Sequence, residues 1–183
     1  MKHVPKWLRH PLWLVAVILF VWYISFGYKY GFIYSQGISM QPTIENGEWI
    51  IMQKRSAMGE GWTPDRYDVV IVNDAGSGES LSKRIIGLPG DTIEVREGII
   101  YLNKRELKDP FGRGKILIYL VDENGNNLRY WDGPEEGEPV IELTSHKEEK
   151  IEKGCVWLIG DNRSESWYGI LPIKDIKGLA VIF

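Results

Sequence analysis

Thr92-Ile93-Glu94-Val95-Arg96-Glu97-Gly98-Ile99-Ile100-Tyr101-Leu102-Asn103 is the stretch on which the fold turns. Two short runs, Thr92 to Arg96 and Ile99 to Asn103, are rich in Ile, Val and Tyr and are joined by Glu97-Gly98, a two-residue turn. The segment therefore predicts a β-hairpin. The same texture recurs outward in both directions. Glu48 to Gln53, Tyr67 to Asn73, Ser82 to Ile86, Lys115 to Val121, Leu128 to Trp131, Val140 to Thr144, Cys155 to Ile159 and Gly178 to Phe183 are further candidate strands. Asn124-Gly125-Asn126-Asn127, whose residues accept positive φ, reads as a second hairpin turn. From Ile38 onward the chain is expected to be mainly β.

Arg105 to Lys153 is more polar than its surroundings. It contains the acidic loop Pro134-Glu135-Glu136-Gly137-Glu138 and ends in the charged run His146-Lys147-Glu148-Glu149-Lys150. It reads as an inserted excursion from the main sheet with a solvated charged face, not as a second core.

Upstream of the β region, Leu12 to Tyr28 carries no charge and is almost wholly apolar, the minimum length for a helix that spans a bilayer. Pro11 suits a first helical turn, and Trp13, Trp22, Tyr23, Tyr28 and Tyr30 are interfacial aromatics. Lys2, Lys6 and Arg9 precede the segment and only Lys29 follows closely, which puts the N-terminus in the cytoplasm. The expected organisation is a cytoplasmic N-terminus over 1–11, a transmembrane anchor over 12–30 and an extracytoplasmic β domain over 31–183, with 105–153 inserted. A second reading stays open: Leu12 to Ile24 has the length of an export signal's apolar core, and Ser25-Phe26-Gly27 offers small residues for its removal. Either of these readings exports the domain; a third, a buried core helix of a soluble protein, is weaker because the segment has no polar face.

Composition excludes several classes of function. A formal net charge of −3 with no basic stripe argues against nucleic acid as a partner. Cys155 is the single cysteine, so no internal disulfide forms, and within a strand-like run it reads as a buried structural thiol. There are three histidines: His3 and His10 precede the apolar segment, and His146 sits among charges, a poor place for a triad base. No His- or Cys-rich spacing suits a metal, and Gly76-Ser77-Gly78 lacks the third glycine of a dinucleotide loop, so neither metal nor organic cofactor is expected. The sequence carries no signal for oligomeric state.

Two segments carry unusual local chemistry. In Gly37-Ile38-Ser39-Met40-Gln41-Pro42-Thr43-Ile44 a serine lies between apolar neighbours ahead of a proline that restricts Gln41, an arrangement that holds a hydroxyl in a fixed turn; an ordinary turn is the plain alternative. In Ser82-Lys83-Arg84-Ile85-Ile86-Gly87-Leu88-Pro89-Gly90-Asp91, Lys83 shares a strand face with Ile85 and Arg84 shares the other with Ile86. One of the two cations must face an apolar side. A lysine so placed loses hydration, and its neutral amine becomes able to take a proton from a serine, whereas a lysine at a strand edge stays charged in water.

Taken in order, these segments resemble the bacterial type I signal peptidases. The resemblance rests on Ser39-Met40-Gln41-Pro42-Thr43, on Lys83-Arg84-Ile85-Ile86-Gly87-Leu88-Pro89-Gly90-Asp91 and on Gly160-Asp161-Asn162-Arg163. It implies a signal-peptidase-like β fold, a serine endopeptidase of the cytoplasmic membrane that removes signal peptides from exported precursors, and the lipid bilayer as a partner. It further implies Ser39 as nucleophile, with its backbone N–H in the oxyanion hole, and Lys83 as general base. Asp161 and Arg163 are implied as structural or charge partners near the lysine strand, Arg84 as a supporting residue and Ser166 as the hydroxyl that bonds the lysine amine. Two departures stand out. Ser166 runs straight into Trp167-Tyr168-Gly169, where relatives carry a further acid and arginine, leaving Glu165 as the nearby acid; and Gly37 stands where some relatives have a second oxyanion donor. Rivals are a Ser-Lys protease with another task, such as pilus processing or repressor self-cleavage, and a catalytically inactive anchored binding domain.

Overall fold

The computed structural model describes residues 11–73, 78–117 and 145–181. One helix, α1 (Pro11–Lys29), runs without a break into a strand, β1 (Tyr30–Tyr34). The helix ends one residue short of the segment over 12–30 that was expected as an anchor. Tyr30 belongs to the sheet because the run from Tyr30 to Tyr34 pairs antiparallel with β2 (Trp49–Lys54) along its whole length. Lys54 Nζ donates to the Gly27 carbonyl at 2.7 Å, a cation set against the negative end of the helix. Among the described residues no helix is long and apolar enough to cross a membrane.

The strands that follow are β3 (Val69–Asn73), β4 (Ser80–Gly87), β5 (Thr92–Arg96), β6 (Ile99–Leu102), β7 (Arg105–Glu106), β8 (His146–Lys150), β9 (Cys155–Ile159), β10 (Tyr168–Pro172) and β11 (Gly178–Val181). They form a seven-stranded sheet in the order β1-β2-β11-β3-β4-β9-β10 and a four-stranded sheet in the order β7-β6-β5-β8. Every pairing of these strands is antiparallel. The mainly β, antiparallel class is as expected. In the founding hairpin Arg96 pairs with Ile99, and Glu97 and Gly98 both take positive φ, as a tight two-residue turn requires.

Side-chain alternation sorts the core. Trp157 and Ile159 of β9 face the smaller sheet, packing with Ile86, Ile93, Val95, Ile100, Ile116 and Ile151. Val156 and Leu158 face the other way, onto Val70, Val72, Ile85 and Ile176. A third cluster, Met40, Ile44, Ile50 and Val69, lies under the serine segment. Each buried branched side chain contributes about 1.5–3 kcal/mol, so these clusters, not the exposed charges, dominate stability.

β1, β7, β8 and β10 were not among the candidate strands. β8 is all charged or His and exposed at every residue, so it carries no alternation to read, yet its backbone pairs with β5. β10 ends in Pro172, tolerated because β10 lies at the sheet edge. The excursion thus rejoins the smaller sheet at both ends, and Ile116 is core. Of Lys115 to Val121, the described residues are Lys115, Ile116 and Leu117, of which Leu117 makes an isolated bridge and the other two are not strand. The candidates Leu128 to Trp131 and Val140 to Thr144 and the turn at Asn124 to Asn127 lie outside the described residues, as do His3, His10 and Gly76-Ser77.

Candidate active site

Ser39 sits in a pair of overlapping turns after β1. Gln41 N–H donates to the Ile38 carbonyl and Ile44 N–H to the Met40 carbonyl, both at 3.1 Å, and the Gln41–Pro42 bond is cis. Met40 and Ile44 are buried in the third cluster, so the apolar neighbours of the serine pin the turn from below. From outside, Asn162 N–H donates to the Ser39 carbonyl at 3.0 Å and Asn162 Nδ2 to the Ile38 carbonyl at 3.2 Å. The Ser39 N–H donates to no group among the described residues. Gly37 N–H is taken by Asn46 Oδ1 at 3.0 Å.

Lys83, in the middle of β4, is 2% exposed, and its Nζ donates to Ser39 Oγ at 2.8 Å. The Trp167 ring centroid lies 5.5 Å from the same Nζ. Arg84, on the opposite face, is 4% exposed. Both cations are buried, and the two faces hold them differently. Arg84 is gripped by Asp161 through Nε at 2.7 Å and Nη2 at 2.6 Å, donates to the Tyr67 carbonyl at 2.7 Å and stacks 3.7 Å from the Phe111 centroid. A planar guanidinium suits that fork; a lysine has no such geometry.

Asp161 also accepts from Thr43 Oγ1 at 2.5 Å. One buried carboxylate thereby joins the serine segment, the lysine strand and the turn after β9. Gly160 is where the backbones converge: a Cβ there would stand 2.1 Å from the Ser39 carbonyl oxygen and 2.6 Å from Ser166 Oγ. No residue but glycine fits without displacing Ser39. Buried Ser166 accepts from Gly160 N–H at 2.7 Å and donates to the Trp167 carbonyl at 2.9 Å. Glu165 is exposed.

Arg163 lies within electrostatic reach of Asp161 and of Arg84 on the lysine strand. It is buried and pairs with Asp109 at 2.9 Å, and Asp109 Oδ1 also accepts from Phe111 and Gly112 N–H. Burial pushes the guanidinium below its ordinary value, against the opposing pull of Asp109 and Asp161. Arg113 runs alongside, donating its N–H to the Asp161 carbonyl and accepting from Arg163 N–H. Sequence reading missed Asp109 and Trp167. Asp109-Pro110 reads as an ordinary turn, and Trp167 is one of eight tryptophans with nothing in its spacing to single it out.

A small cleft opens beside Ser39, lined by Ile33, Gln36 and Met40 on one side and Ser80, Leu81 and Ser82 on the other. β9 pairs with β4 only from Arg84 onward, so the β9-facing edge of the strand start is not covered by it. His146 lies on β8, bonded to Glu149 and edge-on to Tyr168. Among the described residues no group of three or more His, Cys, Asp or Glu is arranged to hold a metal ion.

The family described as signal peptidase, peptidase S26, matches over residues 6–183. Signal peptidase I of Bacillus caldolyticus is 31% identical over 147 residues, covering 78% of this chain and 72% of its own. Signal peptidase I U of Bacillus subtilis strain 168 is 30% identical over 153 residues, covering 84% and 70%. A solved signal peptidase I from Enterococcus faecalis V583 aligns with a TM-score of 0.38 at 18% identity, over 66% of this chain and 98% of that one, too slight a likeness to add to the sequence match. With nearly its whole length matched, the chain belongs to the signal peptidase family, peptidase S26, and is a peptide-bond hydrolase of the type I kind.

Proposed function

We propose that Ser39 is the nucleophile and Lys83 the general base of this peptidase, and that it removes signal peptides from exported precursor proteins. The observation that carries the reading is the 2.8 Å contact between Lys83 Nζ and Ser39 Oγ, made by a lysine almost free of solvent. Burial favours the neutral amine, which is the form able to accept the serine proton. Ser39 Oγ attacks the scissile carbonyl as its proton passes to Lys83, and the Ser39 N–H is a donor for the oxyanion. The lysinium then protonates the leaving amine, and the amine it regenerates activates water to release the acyl group. Asp161, Arg84, Thr43 and Asn162 hold these parts in register, and Ser166 and Arg163 support the turn behind them. No metal or organic cofactor takes part.

Substrate would lie extended in the cleft against Ser80 to Ser82, where strand pairing to an uncovered edge supplies affinity without demanding one sequence. Ser39 follows Tyr28 by 11 positions, which keeps it within about 36 Å of the helix at roughly 3.3 Å per residue. We place the helical segment in the cytoplasmic membrane, N-terminus inside and β domain outside. Supporting this are the exposed apolar side chains from Leu14 to Ile24 and, continuing from them, exposed Phe32, Tyr34 and Trp49. Trp62, by contrast, packs on the core beneath Arg55.

The test is cleavage of a precursor by purified protein in lipid vesicles, read by the N-terminal sequence of the mature product. Ser39→Ala and Lys83→Ala should each abolish the new N-terminus while the protein stays folded. Normal processing by either variant would remove that residue from the mechanism.

A further inference from the structure

Lys83 is the buried group on which the proposed chemistry turns, and one side chain close to it has no part in that scheme. The Trp167 ring centroid stands 5.5 Å from Lys83 Nζ. Its backbone is locked, since its carbonyl accepts from Ser166 Oγ, which is itself held by Gly160 N–H. The rest of the indole rests on the apolar cluster that contains Ile85, the residue sharing the Lys83 face of β4. Its indole N–H is buried and has no hydrogen-bond partner among the described residues. A donor left unbonded in the interior is unfavourable, so the residue is not held there by its polar atom. What it offers is the ring.

We propose that Trp167 is a positioning residue for the lysine: its aromatic face covers the amine, keeps bulk water from it and holds it toward Ser39 Oγ. The ring is also matched to the reaction. An aromatic face attracts a cation, so it helps hold the amine in place as the amine gains its proton during attack. An aliphatic residue of similar bulk would exclude water without that attraction. The inference rests on the assignment of Lys83 as general base.

The experiment compares Trp167→Phe, Trp167→Leu and Trp167→Ala with the parent full-length protein in vesicles, measuring kcat and KM on one precursor, with Lys83→Ala alongside. Misplacing a reacting group by an ångström lowers rates by up to about a hundredfold, so Trp167→Ala and Trp167→Leu should lose roughly tenfold to a hundredfold in kcat at nearly unchanged KM. Trp167→Phe, which keeps the face and discards only an unbonded N–H, should recover to within about threefold of the parent, given how little an aromatic exchange changes such a contact. Trp167→Leu as active as Trp167→Phe would overturn the role of the ring, and so would a loss confined to KM. Should Trp167→Ala fail to fold, the comparison of Phe with Leu still decides. An active Lys83→Ala would sink the general-base assignment itself; an inactive Lys83→Ala beside a fully active Trp167→Leu would sink only the role given to Trp167.

Discussion

The backbone N–H of Asn162 donates to the carbonyl of Ser39 at 3.0 Å across 123 positions of sequence, 162 minus 39. The turn after β9 is therefore part of the wall that holds the serine segment, and its composition follows from that contact.

Gly160, two residues earlier, admits no side chain, because a Cβ would meet the Ser39 carbonyl oxygen at 2.1 Å. Gly160→Ala is expected to push the serine off its lysine and to lower kcat about a hundredfold. Kinetics on a precursor, with circular dichroism to verify the fold, checks this.

Among the described residues Asp161 is the only carboxylate in ion-pair contact with the Arg84 guanidinium, and both side chains are almost fully buried. Removing it strands a cation in the interior, so Asp161→Ala should lower stability by about 3–5 kcal/mol. Urea unfolding measures the difference, and a loss under about 1 kcal/mol would mean that water reaches Arg84 once the partner is gone.

Asp91 titrates low. Partial burial alone would raise it, but hydrogen bonds from Asn103, from Leu88 N–H and from Arg66 together outweigh burial. A carboxylate held below its ordinary value stabilises the fold fully above that value, near pH 4, and the contribution disappears as pH falls through the lowered one. Asp91→Asn should thus be destabilised by roughly 1–2 kcal/mol at pH 7, with the gap to the parent narrowing below about pH 4. Thermal melts at pH 7, 5 and 3 read it directly.

Much of the sheet was legible where apolar residues alternate: Val156 and Leu158 part from Trp157 and Ile159 as the period of two demands. The Glu97-Gly98 turn was legible from its residue types. Illegible strands had other reasons to exist. β8 joins the sheet by backbone pairing and carries no apolar side chain, and the run from Tyr30 looked like the end of an apolar segment although it is a sheet edge. Within the site, Lys83 and Arg84 could be seen to occupy opposite faces, yet the sequence did not say that both would be buried, since that depends on Asp161 arriving from 77 positions away, 161 minus 84. Asp109 and Trp167 were invisible for the same reason: each acts through a contact between distant segments, and neither residue type announces it.

The most direct test of the account is to trap the covalent step. Incubating the protein with an activated peptide ester and locating the added mass by proteolysis and mass spectrometry should find the acyl group on the peptide containing Ser39. The adduct should be absent in Ser39→Ala and should form about a hundredfold to ten-thousandfold more slowly in Lys83→Ala, the range general-base catalysis supplies. An acyl group found on another residue, or an undiminished acylation rate without Lys83, would contradict the Ser39 and Lys83 mechanism.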